Sequence, residues 1–229
     1  MANYTKNMSY SPLTGSELGN YNLRMNTSLI TLPLIAAADL SPRQSELLAR
    51  GRKAAQGMLP NMYRAMAHNP ALLDAYLYGY EALRKESGFT PAELEVICLV
   101  ISYENACDYC VAAHSLAADT LSRVPRKVTD AIRDGQDIPD PQFRTLAEVT
   151  RQVLLSRGRP DSATVQKLLD AGYDEKHLLG IVLAIGIKTL SNYTNHLFDT
   201  PLDSVFKVRE FKAFKAAQRV VEFFKPRRE

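Results

Sequence analysis

The chain contains few cysteines, three in 229 residues. A small, odd number argues against the disulfide framework of a secreted protein. In a reducing compartment, two cysteines close together in sequence are typical of catalytic or metal-binding sites. We therefore expect a cytoplasmic protein whose chemistry lies at Cys107 and Cys110, which are separated by two residues.

Long apolar runs are also missing. None approaches the roughly 20 residues needed to span a bilayer, and the best candidate, residues 29–38, is interrupted by Pro33. Residues 1–28 lack the basic start and apolar centre of a signal peptide, and we interpret them as a flexible arm. The net charge of +3 is too small to favour nucleic acid as the main partner. We expect neither a membrane nor a nucleic-acid partner.

No segment alternates apolar and polar residues long enough to require a sheet, so the sequence predicts an all-α fold. Residues 29–229 are predicted to form one helical domain. Ser41, Asn69 and Thr90 are helix-start signals, and Thr90 is followed by Pro91 and by Glu93 in the pattern of a capping box. The predicted helices cover about 42–58, 70–87, 91 onward, 106–121 with Asn105 as cap, 143–156, 161–171, 174–189, 191–198 and 201–224.

A weak internal repeat appears when the chain is shifted by 84 residues. Leu94 then falls on Leu178, and Tyr109 on Tyr193. This similarity predicts two degenerate helical hairpins, at about 59–122 and 143–206, although chance similarity between amphipathic helices is the alternative. The chemical positions are not repeated: Cys107, Cys110, Glu95 and His114 fall on Ser191, Thr194, Leu179 and Phe198.

Cys107, Cys110 and His114 share one face of a predicted helix, because they are spaced by three and four residues. If Asn105 caps this helix, both cysteines lie near its N-terminus, where free N–H groups and the helix dipole stabilise a thiolate. The imidazole of His114 can take the thiol proton. A thiolate attacks peroxide oxygen and becomes a sulfenic acid, which a second cysteine one turn away converts to a disulfide.

Two other interpretations of these residues stay open. Cys107, Cys110 and His114 with a carboxylate could hold zinc, although Cys98 and His68 are the only nearby spare ligands for a closed structural site. The cysteines could also be small core residues with a hydrogen-bonded histidine nearby.

Glu95, eleven intervening residues, and then Cys107-x-x-Cys110-x-x-x-His114 resemble the signature of the alkyl hydroperoxidase D-like proteins of the carboxymuconolactone decarboxylase superfamily. The resemblance covers about residues 59–206. It implies an all-helical fold and a homo-oligomer, commonly a trimer or hexamer. It also implies that Cys110 forms the sulfenic acid, that Cys107 resolves it, and that Glu95 and His114 relay the proton.

The implied activity is reduction of a hydroperoxide by a thiol or dithiol donor, of which lipoyl-type dithiols are one candidate, with no cofactor and no metal. Tyr109 departs from the best-known member, which has histidine between its cysteines, and tyrosine cannot shuttle protons near neutral pH as imidazole does. A thiol–disulfide adaptor with little peroxidase turnover ranks second. A decarboxylase-like lyase ranks third, since those relatives lack the cysteine pair.

Overall fold

The computed structural model describes residues 28–210, and the regular structure within this range is helical throughout, which confirms the predicted all-α class. Within the described range, no helix is both long and apolar enough to cross a bilayer. The α-helices are α1 (Pro42–Ala54), α2 (Asn61–Met66), α3 (Pro70–Glu86), α4 (Pro91–Glu104), α5 (Asp108–Thr120), α6 (Arg126–Arg133), α7 (Pro141–Leu155), α8 (Ser162–Asp170) and α9 (Glu175–Phe198), with short 3-10 helices at Ala37–Asp39 and Ser204–Glu210.

The predicted caps at Ser41, Asn69 and Thr90 are confirmed. The Ser41 side chain accepts a hydrogen bond from the Gln44 N–H, and Asn69 accepts one from the Leu72 N–H. Thr90 and Glu93 form the predicted capping box at the start of α4. Each cap satisfies a backbone N–H group that the first helical turn leaves without an internal partner.

Several predicted boundaries were wrong. α2 and α6 were missed because each is short, follows a proline and has no side-chain cap to announce it. The predicted break near residue 190 does not occur, because α9 is one continuous helix. The predicted helix 201–224 starts instead as a 3-10 helix at Ser204; its remainder after residue 210, and the predicted arm up to residue 27, lie outside the described residues.

The two predicted repeats each contain a capped helix start at corresponding positions. Thr90 and Asp174 are both N-caps with capping boxes, and each follows a buried aromatic residue, Phe89 or Tyr173. The first copy then turns sharply at Ala106, whereas the second runs on through α9. The second copy therefore has one long helix in place of a hairpin.

Helix α4 forms the centre of the fold. Its residues from Glu93 to Ser102 are all buried, as expected for a helix that is apolar around its whole circumference. It packs against α5, α7 and α9. This central position carries Glu95 into the interior beside the start of α5.

Helices α3 and α9 approach each other closely at Gly79. A Cβ atom there would lie 2.1 Å from Cδ1 of Ile187, so a larger residue would push the helices apart. The next residue of α9, Lys188, is fully buried on the side of the core that contains Cys110.

Candidate active site

The turn between α4 and α5 sets the position of both cysteines. Ala106 adopts the left-handed conformation with φ 52°, and the Cys107 N–H donates to the Ser102 carbonyl at 2.9 Å. These features form a helix C-cap that reverses the chain within a few residues. Helix α5 begins at Asp108, so Cys107 is its N-cap and Cys110 lies in its first turn.

The prediction that Asn105 caps α5 was wrong. Asn105 ends α4, and its side-chain amide donates to Oδ1 of Asn192 at 2.9 Å. This long-range bond ties the turn to α9. The correction moves Cys110 closer to the helix N-terminus than predicted, where unpaired N–H groups favour negative charge on sulfur.

Both thiols are buried and meet the side chain of Asn195 from α9. Its Nδ2 lies 3.3 Å from Sγ of Cys110 and 3.8 Å from Sγ of Cys107. Cys110 lines a cavity of about 630 Å³, whereas Cys107 is not among the residues that line it. A molecule in the cavity therefore meets Cys110 first.

The environment drives the pKa values of the two thiols in opposite directions. Burial opposes ionisation of Cys110, but a hydrogen bond from Cys107 and the charges of Lys188 and His114 outweigh it and hold its pKa well below the usual thiol value. The same hydrogen bond, together with burial, raises the pKa of Cys107. Cys110 is therefore the thiol of the pair that carries negative charge.

Glu95 and His114 form a buried pair in which Nδ1 of His114 lies 2.7 Å from Oε2 of Glu95. Burial disfavours the charged carboxylate, but His114 and Arg84 outweigh it, so the pKa of Glu95 is lowered. Because an ionised carboxylate only accepts hydrogen bonds, Nδ1 carries the proton. Burial and the Lys188 charge lower the pKa of His114, which keeps Nε2 available to take a proton.

Arg84 forms an ion pair with the other carboxylate oxygen of Glu95. It donates to Oε1 of Glu95 and, at 2.6 Å, to the hydroxyl of Tyr80, over whose ring the guanidinium lies at 4.8 Å from the centroid. Both oxygens of Glu95 are therefore engaged, which fixes the carboxylate and, through it, the ring of His114.

Tyr109 lines the cavity, but its hydroxyl is held in a structural role. The hydroxyl donates to Oδ2 of Asp203 and accepts from the Met62 N–H at 3.3 Å. Burial and Asp203 raise the pKa of Tyr109 far above neutrality. Its side chain thus links α2, α5 and the segment after α9 and does not replace an imidazole in proton transfer.

The cavity wall is mostly aromatic and apolar around a few polar groups, as in small-molecule sites. The lining includes Met58, Met62, Tyr63, Tyr76, Tyr80, Tyr109, Leu116 and Phe206, with Arg84, Glu95, Cys110, His114 and Lys188 as the ionisable groups other than tyrosine.

In residues 28–210, no group of three or more His, Cys, Asp or Glu side chains is arranged to hold a metal ion. The two spare ligands considered for zinc are engaged elsewhere. Nε2 of His68 lies 2.7 Å from the Pro33 carbonyl, and Cys98 is buried in the α4 core.

Sequence reasoning missed three residues of this site: Arg84, Lys188 and Asn195. The available signal for the latter two was a polar stripe on an otherwise apolar helix, formed by Lys188, Ser191 and Asn195 at spacings of three and four. Such a stripe on the core-facing side of a helix is typical of a functional face. Arg84 gave no signal, because basic residues near a helix C-terminus are common.

Comparisons with known proteins find a family model that matches part of the chain and solved structures that share its fold. Residues 70–152 match the model of the Carboxymuconolactone decarboxylase family. This segment contains Glu95, both cysteines and His114, and the match confirms the resemblance predicted from the motif. No curated protein matches the chain in sequence.

Solved structures share the fold at low sequence identity. One is described as an alkylhydroperoxidase AhpD core, a peroxidase-related protein from Ralstonia eutropha JMP134; it is 24% identical with a TM-score of 0.67 over 76% of this chain and 93% of its own. A peroxidase-related protein from Silicibacter sp. TM1040 is 21% identical with a TM-score of 0.66 over 78% and 93%. The debrominase Bmp8, in complex with 2,3,4-tribromopyrrole, is 19% identical with a TM-score of 0.65 over 83% and 99%.

Proposed function

We propose that the protein is a cysteine-dependent hydroperoxide reductase. The observation that carries the proposal is the position of the ionisable Cys110 thiol. It lies at the wall of a cavity that the hydrogen-bonded Glu95–His114 pair also lines. The family match and the peroxidase-related structures support it.

In the first step, the Cys110 thiolate attacks the distal oxygen of a hydroperoxide. The O–O bond breaks, the proton that Nε2 of His114 took from the Cys110 thiol passes to the departing alkoxide, and an alcohol and a Cys110 sulfenic acid result. Glu95 holds the ring of His114 and stabilises its charged form. The sulfur of Cys110 is oxidised and the peroxide is reduced by two electrons.

In the second step, the thiol of Cys107 attacks the sulfenic sulfur and displaces water, which forms the Cys107–Cys110 disulfide. A thiol or dithiol donor then attacks Cys107, because Cys110 is the better leaving group at its lower pKa. The donor becomes a disulfide, and both cysteines return to the reduced state.

The proposal is tested by steady-state consumption of small alkyl hydroperoxides with dihydrolipoamide, dithiothreitol or glutathione as donor. We expect sustained turnover with at least one of the dithiol donors. One molecule of alcohol should form for each molecule of hydroperoxide consumed. Disulfide exchange without peroxide consumption would instead indicate a thiol–disulfide adaptor. Near-stoichiometric zinc in the purified protein would favour a zinc-binding module.

A second candidate activity, reductive debromination, is favoured by the aromatic wall beside Cys110 and by the fold shared with Bmp8. The Cys110 thiolate would attack bromine, the carbon would take the bond's electron pair and a proton, and Cys107 would displace bromide to form the disulfide. Bromide release from 2,3,4-tribromopyrrole with a dithiol donor measures this activity directly.

We also propose that the protein is a homo-oligomer, a trimer or hexamer by its resemblance. One face of α9 supports an interface between copies, because it exposes apolar side chains at helical spacing: Leu179, Val182, Leu183, Tyr193 and Leu197. Such a stripe on a surface helix is typical of a contact with another subunit.

Leu179→Glu is expected to dissociate this oligomer, because Leu179 is 71% exposed within the stripe and a charge there would be buried on assembly. Sedimentation velocity measures the change in mass. Leu155→Glu is the matched control, since Leu155 is 60% exposed at the end of α7, outside the stripe. Equal masses for both variants would rule out this face as the interface.

A further inference from the structure

Lys188 is a fully buried lysine that the proposed reaction does not use. Its side chain lines the cavity with Cys110, and its Nζ has no nitrogen or oxygen partner within residues 28–210, which leaves the Cys110 sulfur as the group it can bond. An isolated ammonium is costly to bury, and such a group loses its proton unless a negative charge lies near it. The pKa of Lys188 is nevertheless raised, because the thiols around it, Cys110 first, outweigh its burial.

The negative charge beside Lys188 is that of a single thiolate, Cys110. Glu95 is already engaged at both oxygens by His114 and Arg84. Burial raises the pKa of Cys98 to about 12, and that of Cys107 is also raised, so these two thiols are neutral near pH 7. The ionisable groups that interact electrostatically with Cys110 within residues 28–210 come from four helices: Tyr76 of α3, Cys98 of α4, Cys107, Tyr109 and His114 at α5, and Lys188 of α9. Tyr80, Arg84 and Glu95 line the same cavity.

We infer that Lys188 is a positioning residue, the buried counter-cation of the Cys110 thiolate, and that it makes the Cys107–Cys110 disulfide a strong oxidant. The inference rests on the thiol–disulfide cycle of the proposed function. Formation of the disulfide consumes the thiolate and leaves the Lys188 ammonium buried without a compensating charge. The reduced protein is thereby favoured over the oxidised one.

The redox balance explains why Lys188 favours the reduced protein over the oxidised one. A donor dithiol gives two electrons and two protons to the disulfide; Cys107 keeps one proton, the other is released, and Cys110 stays ionised beside Lys188. Because stabilising the reduced form raises a disulfide's reduction potential, Lys188 favours the return of Cys110 to the thiolate state at equilibrium. This return is what each turnover needs.

Lys188→Met tests the inference in the full-length protein, since methionine keeps the length of the side chain without its charge. We expect the equilibrium with reduced and oxidised glutathione at pH 7 to shift at least tenfold toward the disulfide, a potential lower by about 30 mV. The thiolate absorbance of Cys110 should titrate at higher pH than in the wild type. Lys188→Arg should restore both values toward those of the wild type.

Lys176→Met is the control, because Lys176 is exposed on the same helix. Lys188→Met and Lys176→Met with the same glutathione equilibrium would overturn the inference. Thermal melting of the wild type adds a measurement that needs no variant: the reduced protein should melt at a higher temperature than the oxidised one, and equal or reversed melting temperatures would also overturn it. None of these readouts involves peroxide, so failure of the peroxidase assay alone would contradict the proposed function and leave this inference standing.

Discussion

Cys110→Ser is expected to abolish peroxide consumption, with a fall in rate of at least about 10³-fold, the scale seen when a catalytic nucleophile is removed. The serine hydroxyl is not ionised near neutral pH, so the Lys188 ammonium and the start of α5 no longer stabilise an attacking anion. The rate is measured with excess dithiol and alkyl hydroperoxide. Cys98→Ser, which replaces a thiol buried in the α4 core away from the cavity wall, is the matched control and should keep its turnover.

Cys107→Ser is expected to give a different defect. Cys110 still faces the cavity and still ionises, so one peroxide per chain should be consumed in a rapid first turnover. Without the resolving thiol, the reaction stops at a sulfenic acid, which dimedone traps and mass spectrometry locates at Cys110. Equal residual activity in Cys107→Ser and Cys110→Ser would contradict the assignment of different roles to the two cysteines.

Local signals in the sequence predicted much of the fold, because each depends on residues only a few positions apart. The box of Thr90 and Glu93 and the cap at Asn69 form within one turn, and the structure has both. Asn105 failed as a cap because its amide bonds to Asn192, a partner 87 residues away that no local pattern reveals. The left-handed turn at Ala106 was equally hidden, since this conformation favours glycine or asparagine.

The candidate site shows the same division between local and long-range information. The spacing of Cys107, Cys110 and His114 predicted a shared helix face, whereas the resemblance alone linked Glu95 to them. Burial of Lys188 beside Cys110 depends on how α9 packs over α5 and α3, and the close approach of Gly79 to Ile187 joins two residues more than 100 positions apart. A lysine in an apolar helix gives no indication of which thiol it will face.

Glu95→Gln is expected to lower the peroxidase rate by about 10²-fold, the lower range for loss of a positioned proton-transfer partner. Glutamine can still accept the hydrogen bond from Nδ1 of His114, but it removes the negative charge that stabilises the imidazolium. The carboxylate of Glu95 raises the pKa of His114, so its loss lowers that pKa further. Less imidazolium is then present at each pH to protonate the departing alkoxide.

The pH dependence of the peroxidase rate shows in which direction Glu95→Gln changes the pKa of His114. The alkaline limb of the pH–rate profile, where His114 loses its proton, should move to lower pH in Glu95→Gln, while circular dichroism shows the same helix content. Glu104→Gln is the matched control, because Glu104 lies on the same helix and pairs with Arg151 at 2.6 Å, away from the cavity. An unchanged profile in Glu95→Gln would remove Glu95 from the proton relay. A profile shifted equally in both variants would trace the effect to α4 as a whole, since Glu95, unlike Glu104, is hydrogen-bonded to the ring of His114.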